Sequence, residues 1–314
     1  MTFFSRVLAT LLLVLSHQHC LAINPIPVDD SYTPSERFYR YQQQDASLRW
    51  PALTFTEGQQ IYFDRRYKMA GKRELHLDIF MPTVESNRQT IMLIHGGGWR
   101  SGQRSHFYAM ANQLAQRGYT LVLPEFRLSL EARYPAALED VNDALQWLKH
   151  NAGDYGVHPD KIALLGGSSG GHMASLLAYA GPSQLFGHSD VKVNALIDLD
   201  GVLNLDHERP DPDSPLQYWI GSDMDASPET WREAAPTSHL SSRSPATLVI
   251  SSGQPRFTLG HKRVEKTLQR FGTPYRYYEF PEVIHTFWLF EPYLSQSVDM
   301  IDSFIGSLNA DASG

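Results

Sequence analysis

The chain reads as an α/β protein, with a mostly parallel central sheet and helices on both faces. Three observations predict this. From residue 90 onward, short apolar runs of strand length alternate with helical patterns. One such run ends in a turn crowded with glycine and serine, "LLGGSSGGHMA" (164–174), and an Ala/Leu-rich helical pattern follows at once. Another ends in three consecutive glycines, "IHGGGW" (94–99). Strands covered on both faces read as continuous apolar runs rather than as alternation, and helical crossovers between them imply parallel neighbours.

After a polar, aromatic-containing stretch over 23–58, strand patterns fall at 60–67 and 74–80. These two are close enough to form a meander, which makes the sheet mixed rather than wholly parallel. A buried run at 91–94 opens the alternation. It continues with a helix over 104–117, a strand at 120–123, an amphipathic helix over 135–151, a strand at 161–165 and a helix over 169–180. Further strands are expected at 193–199, 247–250 and 275–280, with helices over 259–271 and near 292–308. The Pro- and Asp-rich stretch 202–243 breaks the rhythm and reads as an insertion over one end of the sheet. No linker composition and no repeat divides the chain, so 23–314 is expected to be a single domain.

The first 22 residues form a separate unit. They carry one early charge, Arg6, an apolar run over 7–15 that is too short to cross a bilayer, and small residues at Cys20 and Ala22. This is the pattern of an export signal cleaved after Ala22, and it places the mature protein in the periplasm or outside the cell. Cleavage there removes the only cysteine, Cys20, which excludes disulfides, thiolate nucleophiles and cysteine-ligated metals. It also removes Arg6, which takes the net charge from −7 to −8. So acidic a chain is a poor nucleic-acid partner, and no stable membrane insertion is expected after cleavage.

The 164–174 turn has what a nucleophilic serine needs: a buried strand before it, glycines that clear space around it, and a helix N-terminus behind it whose N–H groups favour developing negative charge. Two frames fit G-x-S-x-G. Gly166-x-Ser168-x-Gly170 starts the turn directly at the strand end and is preferred over Gly167-x-Ser169-x-Gly171. The glycines of His95–Trp99 can aim bare N–H groups at one point. Gly97 and Gly98, with the N–H of Ser169, are therefore the candidate oxyanion donors. No Gly-Lys-Ser/Thr follows them, so a phosphate loop is excluded.

"IHGGGW", "YPAALEDVNDALQWLKHNAGDYGVHPDKIALLGGSSGGHMASLLA" and "VIHTFWLF" resemble the hormone-sensitive-lipase-like esterases, which have the α/β-hydrolase fold. "SSGQPRFTLGHKR" resembles a narrower group of carbohydrate deacetylases. The resemblance covers roughly residues 60–305. It implies serine esterase chemistry with Ser168 as nucleophile, Gly97, Gly98 and Ser169 as oxyanion donors and His285 as base, without metal or cofactor. The chain departs from the lipase-like motif at Gly167, where that motif often has Asp, and at Ser169, where it usually has Ala.

His285 also fits on its own terms, because it follows the last strand and precedes the last helix. His95 and His172 read as structural. The third member is less plain, since the stretch after 247–250, "SSGQPRFTLG", holds no carboxylate. Asp200, in "IDLDGVL" at a strand end, is taken first as the acid. Glu282, three residues before His285, is the alternative, and a Ser–His dyad is a third possibility.

The substrate expected from export and this chemistry is an acetylated oligosaccharide of plant cell walls, with pectic oligomers first. Acetyl xylan, feruloyl and general short-chain esters are the alternatives. Arg100, Arg104 or Arg256 is a candidate grip for a galacturonate carboxylate, while the acidic net charge favours short oligomers over the intact polyanion. Trp99, Phe257, Phe287 and Trp288 are candidates either for stacking on sugar faces or for core packing. A peptidase of the same fold and a non-enzymatic binding protein are the rival readings.

Overall fold

The computed structural model describes residues 26–27, 29–187, 191–205, 211 and 213–311. The expected export signal and its cleavage point lie outside these residues. Among the described residues, eight strands form one sheet: β1 (Ile61–Ala70), β2 (Arg73–Phe80), β3 (Thr90–Ile94), β4 (Thr120–Pro124), β5 (Ile162–Gly167), β6 (Ala195–Leu199), β7 (Ala246–Ser251) and β8 (Tyr275–Glu279). Their spatial order is β1-β2-β4-β3-β5-β6-β7-β8. β2 is antiparallel to both its neighbours, and every pairing from β4 through β8 is parallel. This is the α/β-hydrolase fold, with the expected meander at one edge.

The continuous apolar runs are explained by packing on both sides of the sheet. Met92 and Ile94 of β3 and Ile162 and Leu164 of β5 join one core cluster. Ile91 and Leu93, with Ala163 and Leu165, join the other. The first cluster is roofed by α3 (Ala136–His150) and α4 (Ser169–Ala180), the second by α2 (Tyr108–Ala115) and α10 (Tyr293–Asp311). Successive strand residues point to opposite faces, so a strand between two helical layers needs an apolar residue at nearly every position.

The differences from expectation are local. The expected 104–117 helix is a 3₁₀ turn, Arg104–Phe107, followed by α2. A helix unassigned in the sequence, α1 (Pro34–Gln42), has Thr33 as N-cap accepting from the Glu36 N–H and proline in its first turn; Thr33-x-x-Glu36 is the spacing that signals it. Two short helices, α5 (Pro182–Phe186) and α8 (Pro255–Thr258), were likewise not anticipated, and α9 (His261–Arg270) falls inside the expected 259–271. The 202–243 stretch contains α6 (Pro215–Ile220) and α7 (Pro228–Ala234).

Candidate active site

β5 lies in the middle of the sheet, and the chain reverses at its end. Ser168 there has φ 54° and ψ −122°, a conformation that costs a non-glycine residue about 1–3 kcal/mol. Its backbone is tied on both sides. Its N–H donates to the Leu199 carbonyl at 2.8 Å, and its carbonyl accepts from the His172 N–H at 2.9 Å. α4 begins at the next residue, so the Ser169 N–H belongs to the first turn, whose donors have no intrahelical partner. The glycine loop packs directly on this turn. A Cβ placed on Gly96 would lie 2.5 Å from the Gly167 carbonyl oxygen and 3.1 Å from the Ser168 Cβ, so only glycine fits there. Gly97 and Gly98 have φ of 135° and 62°. Among the described residues, neither of their N–H groups is donated to a protein acceptor.

His285 reaches the turn from the loop after β8. Its Nε2 lies 2.9 Å from Ser168 Oγ, and its Nδ1 lies 2.9 Å from Asp200 Oδ2. Asp200 is fully buried and has φ 52°. Its Oδ1 accepts from the Ser252 N–H at 2.7 Å and from Ser251 Oγ at 3.1 Å. A carboxylate only accepts, so the Nδ1 of His285 carries the proton and its Nε2 presents a lone pair to the serine hydroxyl. Phe257 lies flat on the imidazole, with centroids 3.9 Å apart and planes 4° apart. Trp288 meets the ring edge-on at 5.4 Å.

The structure thus brings Ser168, His285 and Asp200 into one hydrogen-bonded line, with Ser169 next in the chain and the glycine loop packed on the same turn through Gly96. Glu282 is exposed, and the His285 Nδ1 is on Asp200 instead. Ser251 and Ser252 were missed in the sequence. The available signal was a pair of donors at the end of β7, Ser251 its last residue and Ser252 the next, close to where this fold usually has its acid. Here β6 supplies the carboxylate and β7 supplies the donors that hold it.

The structure decides between several alternatives left open by the sequence. Trp99, Phe287 and Trp288 are 5%, 0% and 2% exposed, so they are core residues and unavailable to a sugar face; Phe257 alone is half-buried. Arg104 is bound to Asp78 and Asp64 at 2.7 and 2.8 Å, and Arg100 is bound to Asp29, so neither is an idle grip for a carboxylate. His95 is buried and stacked on Phe126, with its Nδ1 3.0 Å from the Gly96 carbonyl oxygen. Burial pushes its pKa down to about 3, so it braces the loop as a neutral ring. The 202–243 stretch touches the site through Pro215, whose Cβ is 3.5 Å from where a Cβ on Gly98 would lie. Among the described residues, no group of three or more His, Cys, Asp or Glu is placed to hold a metal. No helix there is long and apolar enough to cross a membrane.

Sheet order, elbow and glycine loop together define the class: an α/β hydrolase. A family model, BD-FAE, matches residues 77–256, which is more than half of the chain, and the chain belongs to the BD-FAE family. It is 28% identical over 254 residues to the esterase LipQ of Mycobacterium tuberculosis, covering 75% of this chain and 60% of that protein. It is 35% identical over 109 residues to an arylesterase of Saccharolobus solfataricus, covering 33% of this chain and 36% of the other. The chain spans about half the length of the curated relatives it matches. Among solved structures, a truncated carbohydrate esterase from gut microbiota superposes with a TM-score of 0.69 at 19% identity, covering 82% of this chain and 100% of the other. Esterase B from Lactobacillus rhamnosis superposes with 0.68 at 20%, covering 89% and 94%. At these identities the structures speak for the fold.

Proposed function

We propose that the protein is a serine carboxylic-ester hydrolase. The observation that carries this reading is the unbroken line Ser168 Oγ–His285 Nε2 and His285 Nδ1–Asp200 Oδ2, with 2.9 Å at each step, beside a glycine loop with unspent N–H groups. His285 takes the proton of Ser168 as its oxygen attacks the ester carbonyl, and Asp200 stabilises the imidazolium that results. The Gly97, Gly98 and Ser169 amides hold the oxyanion. The imidazolium then protonates the leaving alcohol. Water, deprotonated by the same histidine, releases the acid from the acyl-enzyme. The esterase names of the relatives support this chemistry.

For the substrate we propose acetyl esters of plant cell-wall saccharides, with acetylated pectin oligomers first. Support comes from the expected export signal and from the resemblance of the 251–263 segment to carbohydrate deacetylases. A second reading, hydrolysis of uncharged short-chain esters such as acetyl xylan, is favoured by one observation: Arg100 and Arg104 are already paired with carboxylates. The test is acetate release from acetylated oligogalacturonides and acetylated xylo-oligosaccharides in parallel, with Ser168→Ala as control. Release lost in the variant supports the serine mechanism. Preference for the pectic fragments supports the first substrate, and preference for xylan overturns it.

A further inference from the structure

His172 takes no part in the relay, yet it is fully buried in the first turn of α4 and touches three parts of the site. Its backbone N–H donates to the Ser168 carbonyl at 2.9 Å. Its Nδ1 lies 3.3 Å from the indole nitrogen of Trp99, the residue directly after Gly98. Its Nε2 lies 2.9 Å from the carbonyl oxygen of Ala234, at the end of α7. An indole N–H only donates and a carbonyl only accepts. The two partners therefore fix the ring as the neutral Nε2–H tautomer. Trp219 of α6 closes the cluster, 5.6 Å from Trp99 and 5.5 Å from His172.

We propose that His172 is a positioning residue of the active site: its neutral ring latches Trp99, and through Trp99 the Gly97–Gly98 turn, at the distance from Ser168 that an oxyanion requires. This rests on the reading of those amides as oxyanion donors. Trp99 has φ 60°, a conformation an aromatic residue keeps only when its surroundings hold it there. Two bonds do so: its carbonyl accepts from the Ser129 N–H at 2.8 Å, and its indole is held by His172. Without the second, the residue relaxes and carries the two preceding amides with it. Burial, aided by the Arg256 charge and opposed by the bond to Ala234, lowers the His172 pKa to about 4. Its Nδ1 lone pair is therefore present throughout the neutral range. The same ring ties α7 to the elbow, so Ala234 at the end of that helix and Trp99 after the glycine loop are bonded to one side chain.

The test compares His172→Phe, Trp99→Phe and the double variant in the full chain, with p-nitrophenyl acetate, well below each variant's melting temperature. Displacing donors by a fraction of an ångström lowers kcat by about 10- to 100-fold. KM should move by less than about threefold, because the ground-state carbonyl uses these donors less than the transition state does. The double variant should be no worse than the poorer single one, since both changes break one link. Unchanged kcat in the folded single variants, or losses that multiply in the double, overturns the latch. If His172→Phe does not fold, Trp99→Phe decides by the same kcat criterion. Retained activity in Ser168→Ala would overturn the serine reading and the latch with it. Loss there beside an unaffected His172→Phe overturns the latch alone.

Discussion

Asp198 and Asp200 lie two residues apart at the end of β6, and their carboxyl groups are held in opposite ways. Asp200 accepts three hydrogen bonds, from His285, Ser251 and Ser252. Asp198, equally buried, accepts one from the Gly201 N–H at 2.9 Å, and its Oδ2 has no partner among the described residues. Burial, reinforced by the neighbouring Asp200 charge, pushes the Asp198 pKa up to about 8. The donors at the end of the strand thus converge on Asp200, while Asp198, buried with a single donor, is pushed towards its neutral form.

This has a consequence for stability. An acid whose pKa is higher in the folded state keeps its proton where the unfolded chain would release it. Stability therefore falls as pH rises from about 4 towards about 8, by at most about 1.4 kcal/mol per pH unit. Asp198→Asn has the same shape and cannot ionise. Its melting temperature should match the parent near pH 4 and exceed it by several degrees at pH 8. A constant difference across that range, read by thermal denaturation in a pH series, would remove Asp198 as the cause.

Asp200→Asn should behave differently. The Ser252 N–H and the Ser251 hydroxyl keep the amide oxygen in the Oδ1 place, so the amide N–H₂ is turned towards His285. The imidazole must then accept at Nδ1 and carry its proton on Nε2, where it has no lone pair for Ser168. As in the known Asp→Asn change of the Ser-His-Asp triad, kcat should fall by about 10³- to 10⁴-fold with the fold intact. Glu282→Gln, at an exposed position, should stay within about twofold. Steady-state hydrolysis at pH 7–8 compares the two directly.

Ser169→Ala decides the frame of the turn. Ser169 is proposed to act through its backbone N–H, which alanine retains, and its buried hydroxyl has no partner among the described residues. Removing an unsatisfied hydroxyl recovers desolvation worth roughly 1–3 kcal/mol, offset by the small void left behind. The variant should keep kcat within about threefold and melt at the parent temperature or slightly above. Loss of activity to the level of Ser168→Ala would mean that the frame is wrong.

What could be read from the chain follows the range of the interactions. The parallel strands were legible because burial on both faces writes itself into four or five consecutive residues. The elbow and glycine loop were legible because their chemistry is local. The acid was only half legible. A strand-end aspartate reads the same whether it holds loop amides or a histidine, and the donors that decide the matter, Ser251 and Ser252, come about 50 residues later. The pairing of Arg100 with Asp29 and of Arg104 with Asp78 could not be seen at all, since nothing local marks a charge as already neutralised. Trp99 and His172, 73 residues apart, meet only through the sheet.

Gly167, where the lipase-like motif often has Asp, is accounted for by a neighbour far along the chain. A Cβ at Gly167 would lie 2.7 Å from the Trp288 ring, and that ring is 2% exposed, wedged against Phe287 and the edge of His285. An added methyl must therefore push Trp288, and Trp288 must push the imidazole. Gly167→Ala should cost about 1–3 kcal/mol by overpacking. It should also lower kcat by about tenfold, as the His285–Ser168 distance opens from 2.9 Å. Trp288→Phe shortens the blocking side chain where the methyl would go. If this contact is the cause, Gly167→Ala with Trp288→Phe should melt higher and turn over faster than the sum of the two single effects, a coupling expected only between residues that touch. Strict additivity, measured as a double-mutant cycle in both melting temperature and kcat, would mean that Gly167 is required for its backbone alone.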